Sequence, residues 1–369
     1  MTQSATQLNY EVYRRTSNFG SLDGLRCMSI IAVIWHHSGT NNKTSHIFNM
    51  GFLGVDLFFV ISGFLIVTLL LREQSSTGHI SLRKFYARRT LRIFPLYYTV
   101  ILVFAVFYWV VDSRSAYGRH YLHELPYYLT YTANLVPVSF AIVWSLAAEE
   151  QFYLLWPSVE RYLARFTIPV LAAAIAINQV VNFPAGRNFI SNIVGGANWT
   201  QLSIAQTTFT PILLGVGAAH LLHSERGYQL LRFMMLSRWA STIYLISLIG
   251  LLIIAPVNIS GLPRLCMQLV MAALLVSCVY REDHILRSLF RFYPVRRIGQ
   301  ISYGMYLFHI EIIVLVMHFL HIEAQNGSIR LFFIALVFTV IAAEASFRFF
   351  ETPFLRIKRN FSVVHQAHV

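Results

Sequence analysis

Apolar stretches close to twenty residues long recur along the whole chain, separated by short polar segments. A helix of that length crosses about 30 Å of hydrocarbon. The pattern therefore predicts an all-α membrane helix bundle. The ten predicted transmembrane helices have approximate ranges 24–40, 51–71, 93–112, 143–163, 167–184, 203–223, 239–256, 263–280, 299–320 and 331–350.

Composition agrees with a membrane protein of one domain. Of the 369 residues, 56% are hydrophobic and 12% are charged, and soluble domains carry about twice that share of charge. No low-complexity tract, repeat or soluble appendage larger than a loop is visible, and no secretory signal pattern follows the polar first residues. We expect a single domain over 1–369 with cytoplasmic tails at 1–21 and 357–369.

The basic residues set the predicted orientation. With the N-terminus inside, most of the 29 Lys and Arg residues fall in loops on the same side as both termini, as the positive-inside rule requires. Anionic lipid and an anionic cytosolic ligand explain the net charge of +13 without a nucleic-acid partner. The three cysteines have no CxxC spacing, so we expect neither a disulfide nor a metal site.

The first span carries a cation and an imidazole on one face. Arg26 and His37 are eleven residues apart, which places them within about 20° in azimuth and about 16 Å apart along a helix axis. Ionisable groups in membranes usually have a function. The neighbouring His36 points about 100° away, so we predict His37 as a base and His36 as a supporting or packing residue.

The second span contains Asp56, Ser62 and Gly63 in an apolar surrounding. One interpretation is a buried carboxylate satisfied by a neighbouring helix, with glycine for close packing. The other is a carboxylate that shapes a functional site, because an isolated charge at this depth is costly.

A basic and aromatic segment, Leu82–Tyr98, lies at the cytoplasmic side. Arg88 and Arg92 are four apart and share a helix face, with Arg89 beside them. Such guanidinium groups can bind phosphate oxygens. They can equally form a basic belt that sets topology, and both interpretations stay open.

The fourth span holds Glu149 and Glu150, whose side chains point about 100° apart. One is expected to enter the interior while the other braces the bundle. Trp144 and a tyrosine-rich outer loop precede them, and such aromatic rings either stack on sugars or anchor the membrane interface. The loop tyrosines are Tyr117, Tyr121, Tyr127, Tyr128 and Tyr131.

In the ninth span, Ser302, Tyr306 and His309 follow the i, i+4, i+7 spacing of one helix face. A histidine on an apolar helix is either a satisfied structural group or a contact to substrate. No G-x-S-x-G turn is present, so direct attack by the acceptor is favoured over a covalent acyl-enzyme. Ser302 and Ser62 are the fallback nucleophiles if a covalent intermediate forms.

Arginines at the inner edge and an imidazole deeper in the membrane suit a long anionic donor such as acyl-CoA. Its phosphates would bind the arginines, and its flexible arm would reach inward over about 16 Å. The imidazole would take a proton from an acceptor hydroxyl. A carboxylate on the other ring nitrogen would fix the tautomer.

Five segments together resemble the acyltransferase 3 family of integral membrane O-acyltransferases. They are, in order, Leu22–His37 with its Arg-x10-His spacing, Gly54–Ile66, Phe85–Tyr98, Trp144–Pro157 and Ile301–Ile310. The resemblance implies ten core helices in the bacterial cytoplasmic (inner) membrane. It also implies transfer of an acyl group, most often acetyl from acetyl-CoA, to hydroxyls of surface sugars or secreted small molecules.

By the same resemblance, His37 is the base, Arg26 its partner, and Arg88 and Arg92 act on the donor. Some members carry an additional extracytoplasmic hydrolase-like domain, and we expect the stand-alone form because the chain ends soon after Pro353. With the clusters above, the predicted site comprises catalytic His37, Arg26, Glu150 and Asp56; donor-binding Arg88, Arg92, Arg89, Ser302 and Tyr306; and acceptor or site-shaping Glu149, Trp144, Ser62, Gly63 and His309.

Expected partners are acyl-CoA, a sugar or other hydroxyl acceptor, the bilayer and polysaccharide-synthesis machinery. The alternatives are acylation of a secreted molecule such as a macrolide, a scaffold role, and a proton-coupled transporter. A transporter would use Asp56, Glu149, Glu150 and His309 as a proton path. It lacks support from hydropathy symmetry between the two halves of the chain.

Overall fold

The computed structural model describes residues 5–16, 18–38, 49–183, 185–186, 188–189, 192, 208–256, 259–321 and 329–361. The predicted tails and the windows 24–40, 167–184 and 203–223 lie partly outside these residues. The regular structure in the described ranges is helical, which confirms the predicted all-α class. The helices are α1 Ala5–Arg15, α2 Ser21–His37, α3 Gly54–Thr77, α4 Leu82–Val110, α5 Ala116–Leu129, α6 Val143–Tyr162, α7 Thr167–Asn182, α8 Thr210–His223, α9 Glu225–Leu230, α10 Arg232–Met235, α11 Ala240–Ile254, α12 Leu262–Tyr280, α13 Arg287–Phe290, α14 Tyr293–Leu320, α15 Ile329–Ser346 and α16 Thr352–Lys358.

Each predicted window overlaps a helix, although the helices differ in apolar length. The helices α8 and α11 are apolar but shorter. The window that contains Arg26 corresponds to α2, and the window that contains Glu149 and Glu150 corresponds to α6. The bundle crosses the membrane several times, while the count of ten and the cytoplasmic position of both termini stay predictions. Among the residues that the structure describes, six helical segments are long and apolar enough to span, namely Met50–Thr77, Leu82–Val110, Ala164–Asn182, Leu262–Tyr280, Tyr293–Leu320 and Ile329–Phe361.

Several helices present apolar side chains outward. On α11, Ile243, Ile246 and Ile253 are each more than half exposed. Hydrocarbon tails are as apolar as these side chains, so lipid covers them without penalty. This surface is expected for helices that face a bilayer.

The chain divides into two compact units. The first contains residues 1–76, 211–348 and 364–369, and the second contains 77–210 and 349–363. Within their described parts, the first unit holds α1, α2, nearly all of α3 and of α8, and α9 to α15. The second holds α4 to α7 and α16. The prediction of a single domain over 1–369 stays a prediction.

In the first unit, α2 packs closely against α14 and against the 3-10 turn Met50–Leu53. Close approach requires glycine, because a Cβ on Gly299 would lie 1.9 Å from the Asp23 carbonyl oxygen. Gly63 does the same for α3 and α8, since its Cβ would lie 2.0 Å from the Ile212 carbonyl oxygen. Gly63 was predicted either to allow close helix packing or to shape the site, and this contact supports helix packing.

In the second unit, α4 begins at a serine cap, since Ser81 Oγ accepts a hydrogen bond from the Lys84 N–H. The helix packs against α5 and α16. After α5 the chain turns at Tyr131, which adopts φ +53°, and the Gln151 side chain donates to its carbonyl oxygen at 3.0 Å. A side chain of α6 therefore holds this turn in place.

Candidate functional site

Arg26 lies near the beginning of α2 and forms an ion pair one turn away. Its Nη1 donates to Asp23 Oδ1 at 2.7 Å, and Gln300 Nε2 of α14 donates to Asp23 Oδ2 at 3.4 Å. The Arg26 side chain keeps 19% exposure. Asp23 and Gln300 therefore fix the guanidinium while leaving part of it open to a ligand. Neither Asp23 nor Gln300 was among the predicted site residues, although Asp23 is an i, i+3 neighbour of Arg26.

His37 lies on the last turn of the same helix, so one rigid element carries both residues of the Arg-x10-His pair. Its Nδ1 is 2.9 Å from the Val33 carbonyl oxygen. A carbonyl oxygen only accepts, so Nδ1 carries the proton. In the neutral ring, Nε2 then has a free lone pair, as a general base requires.

The partner expected at the second ring nitrogen of His37 was a carboxylate, and that expectation is wrong. The described contacts of Nδ1 are the Val33 carbonyl and Nε2 of His309, at 3.4 Å. In a helix, the carbonyl oxygen of residue i lies within reach of the side chain of residue i+4, as Val33 does for His37. This oxygen has a second lone pair that can accept the side-chain N–H. Local geometry therefore supplies the tautomer-fixing acceptor without a buried charge.

Asp56 is fully buried at the beginning of α3 and accepts three hydrogen bonds from α12. Arg264 donates through Nε at 3.1 Å and Nη2 at 3.0 Å, and Gln268 donates through Nε2 at 2.8 Å. These contacts support the interpretation of a carboxylate satisfied by a neighbouring helix, while its catalytic role stays a prediction. Arg264 and Gln268 are polar residues four apart in an apolar helix, and that spacing could have revealed them.

The predicted polar face of α14 is buried in the first unit. Ser302 and Tyr306 are 5% and 6% exposed, and His309 is fully buried. The Tyr306 ring centroid lies 5.5 Å from that of His309. The rings of Tyr306, His309 and His37 therefore lie side by side. Ser62, on α3, is half-buried.

The second unit contains the predicted donor-binding arginines, all on α4. Arg88 Nη1 donates to the Phe361 carbonyl oxygen at 2.8 Å, so it holds the 3-10 turn Arg359–Phe361 that follows α16. The Arg89 guanidinium lies over the Tyr153 ring, 4.6 Å from its centroid, which is a cation–π contact. Arg92 is exposed.

On α6, Glu149, Glu150 and Trp144 are half-buried. Oε1 of Glu150 is shielded from solvent and has no hydrogen-bond partner among the described residues. A carboxylate oxygen in that state costs free energy. A proton on Glu150, or a hydrogen bond to it from a water molecule or a substrate hydroxyl, would offset that cost.

The tyrosine-rich segment that was predicted as a loop is mostly helix α5, which packs against α4 in the second unit. Tyr121 and Tyr128 are fully buried and Tyr131 is 7% exposed. Glu124 accepts hydrogen bonds from the Tyr128 hydroxyl and the Ser139 N–H, each at 2.7 Å. Neither sugar stacking nor interface anchoring describes these three rings, because both roles need exposed aromatic faces.

A buried histidine outside the predicted site joins three segments of the first unit. His284 lies between α12 and α13, and its Nε2 is 2.9 Å from Ser21 Oγ while its Nδ1 is 3.2 Å from Ser241 Oγ. Burial, together with the positive charge of Arg291, lowers the pKa of His284 to about 4. The folded protein therefore holds this ring neutral.

We expect stability to fall with acidity because of His284. Its pKa is near 6.5 when unfolded, so below that pH the unfolded chain binds a proton that the native ring refuses. The free energy of unfolding does not depend on this group well above pH 6.5, and it decreases by up to about 1.4 kcal/mol per pH unit as the pH falls toward 4. Thermal unfolding of detergent-solubilised protein at pH 7.5 and 5.5 measures it. Because other histidines also titrate, the comparison is with His284→Gln, whose smaller pH dependence is the expected result; equal slopes would contradict it.

Sequence comparison places these residues in a known family. The profile of the acyltransferase domain, acyltransferase 3, matches residues 19–345. The chain therefore belongs to the acyltransferase 3 family, and it is a multi-pass integral membrane protein.

Three curated relatives are similar over most of this chain. Peptidoglycan O-acetyltransferase OatA of Listeria monocytogenes is 28% identical, with 92% of this chain and 56% of the relative covered. The putative peptidoglycan O-acetyltransferase YrhL of Bacillus subtilis is 28% identical, with 90% and 54% covered. A putative O-acetyltransferase of Staphylococcus aureus is 27% identical, with 93% and 58% covered. The chain thus spans little more than half the length of these relatives. No solved structure matches it.

Proposed function

We propose that this protein is a membrane-bound O-acetyltransferase. It takes an acetyl group from acetyl-CoA at the cytoplasmic side and transfers it to a hydroxyl of a cell-surface glycan. The observation that carries the proposal is α2, which holds a guanidinium and an imidazole with a free Nε2 on one helix about 16 Å apart. Membership of the acyltransferase 3 family supports the same reaction class.

The proposed step needs one base and no covalent enzyme intermediate. His37 Nε2 removes the proton of the acceptor hydroxyl as its oxygen attacks the thioester carbonyl carbon. The carbon–sulfur bond breaks, and the leaving thiolate takes the proton back from the imidazolium as the ester is released. Arg26, oriented by Asp23, is placed to bind an anionic part of the donor.

For the acceptor, the names of two relatives make peptidoglycan the first candidate. Other surface polysaccharides and their lipid-linked precursors share the same alcohol chemistry. We place the protein in the bacterial cytoplasmic membrane, where a cytosolic thioester and an outer glycan can be joined across one bilayer. Polysaccharide-synthesis enzymes are the expected partners there.

The function is tested with the purified protein in proteoliposomes. Acetyl-labelled acetyl-CoA is placed on one side of the membrane and peptidoglycan fragments on the other, and the two sides are exchanged in a second preparation. The expected result is label on the glycan that mild alkali removes, because O-acetyl esters are alkali-labile and N-acetyl groups are not. Label that crosses the membrane without becoming esterified would indicate a transporter. Absence of both would refute the enzyme.

Replacing Arg92 by alanine is expected to raise the KM for acetyl-CoA about tenfold or more with little change in kcat. A hydrogen bond to a charged group contributes about 1.5–3 kcal/mol, and Arg92 is exposed on α4. Arg88→Ala should act in the same direction, but it also removes the contact to the Phe361 carbonyl. Steady-state kinetics with varied acetyl-CoA measures the effect.

The matched control is Arg83→Ala, because Arg83 is an exposed arginine of the same helix. It removes the same charge from the same side of the membrane and should leave the KM within twofold. Loss of membrane insertion in the Arg92 variant, with an unchanged KM for the inserted fraction, would instead assign these arginines to topology.

A further inference from the structure

We propose that His309 is a positioning residue for the base His37, an inference that rests on the proposed acetyl transfer. The two rings meet inside the first unit, with Nε2 of His309 3.4 Å from Nδ1 of His37 and ring centroids 5.0 Å apart. His309 is fully buried. It therefore has no surface left for a bulky substrate, and its described side-chain neighbours include the base itself.

Backbone carbonyl oxygens fix which ring nitrogen carries the proton in His309 and in His37. Nδ1 of His309 lies 2.7 Å from the Tyr306 carbonyl oxygen, and a carbonyl only accepts, so this nitrogen carries the proton. A neutral His309 then has its lone pair on Nε2, which faces His37. Nδ1 of His37 is protonated for the same reason, through Val33. Its N–H is therefore shared between the Val33 carbonyl and His309 Nε2.

This arrangement gives His309 two effects on the reaction. It fixes the plane of the His37 ring from a second direction, so that Nε2 stays aimed at the acceptor hydroxyl. It also stabilises the transition state, because the hydrogen bond from Nδ1–H strengthens when His37 becomes an imidazolium. The 3.4 Å separation is long for a resting hydrogen bond and leaves room to shorten. After transfer the proton leaves from His37 Nε2 to the thiolate, and both rings return to their starting forms.

The surroundings leave the imidazole of His309 as the polar side-chain acceptor for this proton. The His36 ring lies edge-on to His37 with centroids 5.0 Å apart, and the Tyr306 ring lies beside His309. Asp56 on α3 is engaged by Arg264 and Gln268. Among the residues that the structure describes, the hydrogen bonds of neither ring involve a carboxylate.

Two nearly isosteric variants separate positioning from packing. In His309→Gln, the amide oxygen reaches the place of Nε2 and can accept from His37. In His309→Asn, the shorter amide reaches only the place of Nδ1, so it can donate to the Tyr306 carbonyl but leaves the His37 N–H without this acceptor. Both substitutes are polar, uncharged and smaller than histidine.

We expect the Asn variant to lose about 10- to 100-fold in kcat, with an unchanged KM for acetyl-CoA, because a hydrogen bond to a developing charge is lost. The Gln variant should keep kcat within a few-fold of the unmodified protein. Unfolding temperatures of both variants are measured alongside. Equal kcat in the two variants, or an Asn variant within twofold of the unmodified protein, would overturn the proposal.

A measurement independent of activity uses ¹⁵N-labelled histidine in solid-state NMR. All three proteins should show His37 protonated at Nδ1, because the Val33 carbonyl stays in place. The Nδ1–H chemical shift should be the same in the unmodified protein and the Gln variant, and it should move to that of a weaker hydrogen bond in the Asn variant, which loses the second acceptor. An unchanged Nδ1–H shift in the Asn variant would refute the positioning role. If the unmodified protein transfers no acetyl group, the proposed function fails, while the NMR result still tests the histidine pair.

Discussion

Replacing His37 by alanine is expected to lower kcat for acetyl transfer by about 10²- to 10⁴-fold, the usual contribution of a positioned general base. The reason is the free Nε2 of a ring held from its other nitrogen by Val33 and His309. Since Arg26 and Asp23 remain at the other end of α2, the KM for acetyl-CoA should change little. Single-turnover transfer of labelled acetyl to a glycan acceptor measures the effect.

The matched control for this prediction is His36→Ala. The His36 ring packs edge-on against Phe52 and His37, so its removal should reduce kcat only a few-fold. Both variants must insert into membranes at the level of the unmodified protein. An alanine at position 37 with near-normal kcat, or a larger loss at position 36, would move the base to another group.

Replacing Arg264 by methionine is expected to lower the free energy of unfolding by about 3–5 kcal/mol, because removal of one partner leaves a buried charge uncompensated. Asp56 is fully buried and would keep only the Gln268 donor. Reversible unfolding in mixed detergent micelles, followed by tryptophan fluorescence, measures the loss. Arg330→Met, a change of an exposed arginine at the beginning of α15, is the control and should have little effect.

The double variant Asp56→Leu with Arg264→Met completes this test. Replacing a whole buried ion pair by apolar side chains is often neutral, so most of the lost stability should return. If the double variant is stable and active, Asp56 joins α3 to α12 and has no catalytic role. If it is stable but inactive, the predicted catalytic role of Asp56 is supported. A single Arg264 variant as stable as the unmodified protein would contradict the ion-pair argument.

The helical class and many of the site residues could be predicted from local sequence. Ser302, Tyr306 and His309 lie on one buried face because the spacing i, i+4, i+7 holds in any helix. The same holds for Arg26 and His37 on α2. Partners from distant segments could not be predicted, since Arg264 lies 208 residues after Asp56, and no periodicity links the two.

Aromatic loop residues show the same division. The tyrosines before α6 read as surface residues in the sequence, because interfacial and sugar-binding loops have that composition. In the structure, Tyr121 and Tyr128 are buried on α5, which packs against α4: the Tyr121 hydroxyl donates to the Ile101 carbonyl oxygen, and Glu124 accepts from the Tyr128 hydroxyl. Burial of this kind depends on the packing of α5 against α4, which no local pattern encodes.

By itself, the sequence determined that this protein is a bundle of apolar helices with an arginine and a histidine eleven residues apart on one of them. Hydrophobic length and helical periodicity are local properties, and they survive any arrangement of the helices. Only the tertiary structure decided that Asp56 pairs with Arg264 and that His37 faces His309 and a carbonyl. Hydrogen bonds form over about 3 Å, so the identity of each partner depends on how the helices pack.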